Sequence, residues 1–327
     1  AWQDPDILEQ AHHMFDLNLS KVKVSSEYYD LFTKKINLLN KKQALQELDL
    51  VFFLSDGSVP VLFGKNTWLH YQVPFKKTNR FQIIDKLKLK SISEIIVNSQ
   101  FTKKIIDKTL GTDRSKVLYP PISVSEFSPG EKEQTILNVG RFASPSHSKR
   151  QDVLIKAFKQ LIDSGLDGWK LELVGGKKGS DSIISSLKNQ ARGYPIDFVV
   201  NPNFKKLKEH YSKASIYWHA AGFEVDEDIN PESVEHFGMT TVEAMASGCV
   251  PVVIDKGGQP EIITDDTGFL WTTISDLKRE TLKLIANATQ RDQISQNAQK
   301  RAQQFSYDNF KKRAFELIDN KSLYVQK

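Results

Sequence analysis

Apolar residues recur along the chain in two alternating rhythms. KVKVSS, LDLVFFLS, NTWLHYQV and SEIIVNS are short runs of β-branched and aromatic residues that read as strands. EYYDLFTKKINLLNKKQALQEL and FTKKIIDKTL lie between them with apolar positions at helical spacing. The opening DPDILEQAHHMFDLN sets Ile7, Leu8, Ala11, Met14 and Phe15 on one side of a helix behind an acidic start. Strand alternating with helix predicts a parallel, doubly wound sheet.

A turn-rich patch, SEFSPGEKEQ, follows SKVLYPPIS, and its Pro129-Gly130 pair marks a linker. Beyond it the rhythm restarts. TILNVGRF, WKLELVGG, IDFVV, SIYWHAA and VPVVI predict strands, while QDVLIKAFKQLIDSG, LKEHYSKA and TTVEAMASG predict helices. LKRETLKLIANA, RDQISQNAQKRAQQF and YDNFKKRAFELI close the chain as amphipathic helices that cover a sheet. The expected organisation is an N-terminal α/β domain over 1–130, a second over 131–305, and a closing helix over 306–327 packing back toward the first.

With 327 residues, 39% hydrophobic and 26% charged, the chain has material for two cores. The net charge of +5 is mild, but it is unevenly spread. Between Lys65 and Lys116 twelve basic residues face four acidic ones, which predicts a basic face on the first domain. Such a face is either a plain solvated surface or one held against anionic lipid, where each Lys or Arg contributes about 1 kcal/mol. No run reaches the roughly 18 apolar residues of a spanning helix, so membrane contact is expected to be peripheral. The single cysteine, Cys249, sits in an apolar run and reads as a small buried hydrophobe in a reducing, cytoplasmic setting, at the inner face of a membrane if one is involved.

The densest chemistry lies in EHFGMTTVEAMASGCVPVVIDKGGQPEII. On one continuous helix Glu235 and Glu243 would stand about 80° apart around the axis. Phe237-Gly238 interrupts that helix, and Thr240 or Thr241 can cap a new start, so Glu235 is expected on a loop and Glu243 in the first turns beyond it. Backbone N–H groups from Gly238 to Thr241 then point at a ready phosphate site, flanked by a carboxylate on each side. That pattern suits a sugar nucleotide, whose hydroxyls a carboxylate accepts from.

EHFGMTTVEAMASGCVPVV, with NVGRF, KRQDVLIKAF, LVGG, KGGQPEI and TGFLW in order, resembles the retaining glycosyltransferases of family 4 (group 1), most closely the EHFG-type lipid-linked-oligosaccharide mannosyltransferases and their bacterial relatives. The resemblance covers residues 134–320 and is looser in the first domain, where it rests on WLHYQVPF, IVNSQFTK and VLYPPIS. It implies the GT-B fold: two Rossmann-like, doubly wound parallel-sheet domains facing a cleft. It also implies a retaining, metal-independent transfer of a hexose, mannose by the EHFG block, from a GDP- or UDP-linked donor. Arg141 and Lys149, with its neighbour Arg150 as a rival, would grip the diphosphate, Glu235 the transferred sugar and Glu243 the ribose, and His70 would approach the reacting carbon. The donor-binding set is Gly140, Gly175, Asn201, Phe237, Gly238, Met239, Thr240 and Glu243, with the base near Val174-Gly175-Gly176 and Val200-Asn201. Asn98-Ser99 matches a strand end near the cleft or caps a helix. No cofactor is implied beyond the donor, and the acceptor is a glycan, a lipid-linked glycan or a small molecule.

Family members open with a strand and a glycine-rich turn, and nothing before Lys21 resembles either, so the chain is expected to start inside its first domain. His12, His13, His147, His210 and His219 lack metal-ligand spacing, and the D-x-D of Asp226-Glu227-Asp228 sits in an acidic loop ending in proline, so no metal site is expected. Other activities on nucleotide sugars, or binding without transfer, are the alternatives. Nucleic acid is not an expected partner, because the basic stretch lacks the clustered aromatics that stack bases.

Overall fold

The computed structural model describes residues 8–9, 12, 18–34, 36–76, 82–143, 149–177 and 181–322. The N-terminal helix expected over residues 4–18 lies mostly outside them; Leu8, Glu9 and His12 are helical.

Two helices, α1 (Ser26–Thr33) and α2 (Leu38–Leu45), precede the first sheet. Its strands are β1 (Val51–Leu54), β2 (Thr67–Tyr71), β3 (Glu94–Val97) and β4 (Lys116–Val117), parallel throughout and ordered β1-β2-β3-β4. Helices α3 (Gln82–Leu89) and α4 (Gln100–Leu110) supply crossovers. β2 and β3 are buried at every position, as a parallel sheet covered on both faces demands. KVKVSS corrects the sequence reading. It is extended and turn-like rather than a strand, because all its residues face solvent and no ladder receives it; its Ser25 caps α1 by accepting from Glu27 N–H.

The second sheet has six parallel strands: β5 (Glu133–Val139), β6 (Lys170–Gly175), β7 (Ile196–Val200), β8 (Ala214–His219), β9 (Val250–Ile254) and β10 (Phe269–Trp271). Their order, β10-β9-β8-β5-β6-β7, reverses direction between β5 and β8. In open α/β sheets that switch point opens a crevice beyond the carboxyl ends of the strands, which is where ligands bind. One face of this sheet is covered by α5 (Gln151–Asp163), α6 (Asp181–Ala191) and α10 (Ile274–Ala286). The other is covered by α7 (Phe204–Lys213), α8 (Met239–Ala246) and α11 (Ala288–Ala302). The four-residue α9 (Gln259–Ile262) follows β9. α6 and β10 escaped the sequence reading; α6 is rich in Ser, Asn and Gln, and β10 is only three residues long.

The last helix, α12 (Tyr307–Ser322), returns to the first sheet, where Phe310, Ala314, Leu317 and Ile318 pack on Trp68, Ile96 and Leu118. Cys249 is fully buried, its thiol donating to Tyr211 O and Ala214 O, and burial pushes it up to about 11. Among the described residues no helix is long and apolar enough to cross a membrane.

Candidate functional site

Glycines bring three strand ends together at the carboxyl edge of the second sheet. Gly140 N–H donates to Val174 O, and Asn201 N–H donates to Gly175 O, both at 2.9 Å. A Cβ on Gly175 would lie 2.0 Å from Gly140 O, so only glycine permits the approach. Asn201 turns the chain with φ 54°, and its side-chain oxygen accepts from Lys177 N–H at 2.8 Å. The floor of the crevice is therefore bare backbone.

Lys149 crosses this floor. A Cβ on Gly140 would stand 2.8 Å from Lys149 Cγ, so the glycine leaves the lysine stem its path. The Lys149 ammonium reaches Glu235 Oε2 at 2.6 Å, and His219 Nε2–H donates to the same oxygen at 3.1 Å. Burial pushes the Glu235 carboxyl up, but Lys149 and His219 together outweigh it and hold the group well below the usual carboxylate range. Burial likewise lowers His219 and keeps the ring neutral. Its backbone is pinned by the Trp271 indole, which donates to His219 O at 3.2 Å.

Glu235 lies on the loop before α8 and Glu243 inside that helix, as the interruption at Phe237-Gly238 requires. The caps differ from expectation. Gly238 at φ 120° is the N-cap and no side chain caps the helix, because Thr240 and Thr241 are already helical and spend their hydroxyls elsewhere. Tyr217 OH donates to Thr240 Oγ1 at 2.7 Å, and Thr241 Oγ1 donates to Gln259 Oε1 at 2.9 Å. The first amides of α8 are thus left for a ligand. Glu243 accepts from Tyr211 OH at 2.7 Å, and burial raises its carboxyl.

These groups line one cleft of about 1140 Å³. Gly140, Arg141, Lys149, Gly175, Asn201, Glu235, Met239, Thr240 and Glu243 stand on its wall, joined by Gly176, Pro202, Asn203, Phe204, Leu207, Val139 and Glu9. Its wall combines the cations Arg141 and Lys149, the carboxylates Glu235 and Glu243, the start of α8 and the apolar Phe204 and Leu207, a lining that can hold a bulky anion with hydroxyl groups.

Three expected residues stand elsewhere. The Phe237 ring packs into the core against Tyr119 and Phe305, with centroids at 5.3 and 5.4 Å, and Gly238 acts as the cap beneath the site rather than on its wall. His70 is buried on β2, with Nδ1–H donating to Ile96 O at 3.2 Å and its ring against Phe52, off the cleft wall. Ser99 caps α4 by accepting from Thr102 N–H, and Asn98 donates to Gln72 O. The acidic loop turns inward on itself: Asp226 accepts from Asp228 N–H and Ile229 N–H, and Glu227 from Gly257 N–H. Among the described residues no three such side chains gather as a metal site. His147 and His13 lie outside the described residues. His219, Tyr211 and Tyr217 carried no sequence signal, because an isolated His or Tyr in a strand or helix reads as packing.

Residues 123–301 match the family model described as glycosyl transferases group 1. The GDP-Man:Man(3)GlcNAc(2)-PP-Dol alpha-1,2-mannosyltransferase of Xenopus laevis is 30% identical over 239 residues, 66% of this chain and 46% of that one. The Homo sapiens protein of the same name is 27% identical, with the same coverage, and the D-inositol 3-phosphate glycosyltransferase of Corynebacterium aurimucosum is 27% identical over 65% of this chain and 53% of its own. The chain spans about half the length of the curated relatives it matches. A glycosyltransferase from Rickettsia africae superimposes with a TM-score of 0.70 at 17% identity, covering 92% of this chain and 86% of that one. Anabaena HepE in complex with UDP and glucose gives 0.62 at 18%, covering 78% and 71%. These likenesses show the GT-B fold.

Proposed function

Because the chain belongs to the glycosyl transferases group 1, we propose that it moves a hexose, mannose first, from a nucleoside-diphosphate sugar to an acceptor hydroxyl with retention and without a metal. The observation that carries this reading is the convergence of Arg141, Lys149, the open amides of α8 and two carboxylates on one cleft.

In this reading Glu243 holds the ribose, the apolar shelf of Phe204 and Leu207 flanks the base, and the diphosphate sits between Arg141, Lys149 and the α8 N-terminus. Glu235 accepts from the sugar hydroxyls, kept ionised by Lys149 and oriented by His219. The bond from the anomeric carbon to the β-phosphate oxygen breaks, and the diphosphate leaves with the electron pair. The acceptor oxygen bonds to the same face of the carbon, and its proton passes to the departing phosphate oxygen. The two cations, Lys149 held by Glu235, stabilise the charge that develops on that oxygen, which is the work a metal does in other designs.

The donor and acceptor classes are read from the mannosyltransferase relatives, which are named for GDP-mannose and a PP-Dol-linked glycan. A lipid-borne acceptor fits a face of the first domain. Ile83, Ile84 and Leu87 of α3 are 78, 53 and 60% exposed beside Lys86, Lys88 and Lys90, a pairing suited to an anionic bilayer at the cytoplasmic surface.

The test is incubation with GDP-mannose, a chelator and a polyprenyl-diphosphate-linked oligosaccharide, with the product read by NMR. Product in the donor's own α configuration is expected. Inverted product overturns retention, dependence on divalent ions overturns metal independence, and free mannose without acceptor turns the reading to hydrolysis.

A further inference from the structure

The segment after β9, Lys256–Ile263, touches five parts of the molecule. Lys256 donates to Val225 O and Gly257 N–H to Glu227, both on the acidic loop. Gly258 N–H donates to Glu235 O at 2.8 Å, holding the backbone of the cleft carboxylate. The fit is tight, since a Cβ on Gly257 would stand 2.1 Å from that same Glu235 oxygen. Gln259, fully buried, accepts from Thr241 of α8.

The Glu261 side chain crosses to the first domain. Its Oε2 accepts from Gln100 N–H at 2.7 Å and its Oε1 from Phe101 N–H at 2.8 Å. These are the first two amides of α4, and Ser99, its own cap, satisfies only Thr102 N–H. A helix start leaves its first amides without intrahelical partners, and a carboxylate there also meets the positive end of the helix dipole. Arg301 anchors the far side, donating to Glu261 O at 2.8 Å and Ile262 O at 3.2 Å. The other polar crossings near α4 are weaker. Lys104 stands 3.9 Å from Asp228, with side chains 71 and 80% exposed, and Lys76 reaches Asp228 O and Ile229 O from an exposed position.

We propose that Glu261 is a positioning residue: it caps α4 of the first domain from the second, and through Lys256–Ile263 ties the placement of the first domain to the loop that carries Glu235. The coupling to turnover rests on the transferase reading above; the placement does not.

The experiment uses the full chain with spin labels at Lys108→Cys on α4 and Ser185→Cys on α6, both exposed, while native Cys249 is buried beyond labelling. Double electron–electron resonance reads the distance between the domains. A narrow distribution is expected in the parent, a broad one in Glu261→Ala, and the parent's width in Ser99→Ala, which also removes a cap from α4 but leaves the crossing intact. Superimposable distributions for Glu261→Ala and the parent overturn the proposal. Should Glu261→Ala fail to fold, Glu261→Gln keeps one acceptor oxygen; an intermediate width is then expected and the parent's width overturns. On transfer, Glu261→Ala is expected to lower kcat tenfold or more while the donor KM moves less than threefold. A KM rise with unchanged kcat contradicts the placement role, whereas a parent without transfer defeats the functional reading and leaves the distances to decide this one.

Discussion

The Lys149 ammonium and the Glu235 carboxylate meet at 2.6 Å over the glycine floor of the cleft, with side chains only 23 and 19% exposed. A pair so placed is held by more than surface attraction, because removing the cation strands a half-buried charge. In the proposed reading it also presents a donor diphosphate with a lysine already fixed in position.

Lys149→Ala is expected to lower unfolding free energy by about 2 kcal/mol, the cost of losing a hydrogen bond to a charged group. It is also expected to weaken nucleoside diphosphate binding. Chemical denaturation and calorimetric titration read the two effects. Stability equal to the parent's contradicts the pair.

The pair has a pH signature. Glu235 is depressed on folding, so its contribution is complete above the ordinary carboxylate value of about 4.3 and fades as pH falls below it. The stability gap between the parent and Glu235→Gln is therefore expected to be widest near neutrality and to narrow in acid. A gap independent of pH contradicts it.

Glu243 carries the opposite sign. Burial raises its carboxyl, so the folded protein binds a proton more readily than the unfolded chain and loses stability as pH rises past about 4.3. Glu243→Gln keeps an acceptor for Tyr211 OH and escapes this loss. It is expected to melt higher than the parent at neutral pH while binding nucleoside diphosphate more weakly. A lower melting temperature at neutral pH overturns the assignment.

Neighbouring glycines should behave differently. Gly175→Ala drives a methyl to 2.0 Å from Gly140 O, whereas the nearest atom to a methyl on Gly176 is Asn201 Oδ1 at 3.9 Å. Gly175→Ala is expected to destabilise by 3 kcal/mol or more, roughly the upper range for overpacking, and Gly176→Ala to be near neutral. Equal effects would contradict the packing of β5 against β6.

Much of this was legible in the chain because parallel strands buried on both faces read as near-continuous apolar runs; VPVVI is unbroken, and LELVGG is interrupted by Glu172 alone. Glu235 and Glu243 were legible because Phe237-Gly238 forces a break between them. The remainder depended on contacts across the sequence. Nothing local says that Phe237 turns into the core toward Phe305, that His219 stands behind Glu235, or that Glu261 caps a helix 160 residues earlier. KVKVSS misled because alternation is a strand signal only where a ladder and a buried face exist to use it.

The central claim is a donor site for a nucleoside-diphosphate sugar, and thermal stability against GDP-mannose, GDP, UDP-glucose and UDP in a chelator tests it most directly. A ligand at about 100 times its dissociation constant stabilises by roughly 2.7 kcal/mol. The account predicts such a rise with GDP-mannose and GDP, diminished in Lys149→Ala. No rise with any of the four would contradict it.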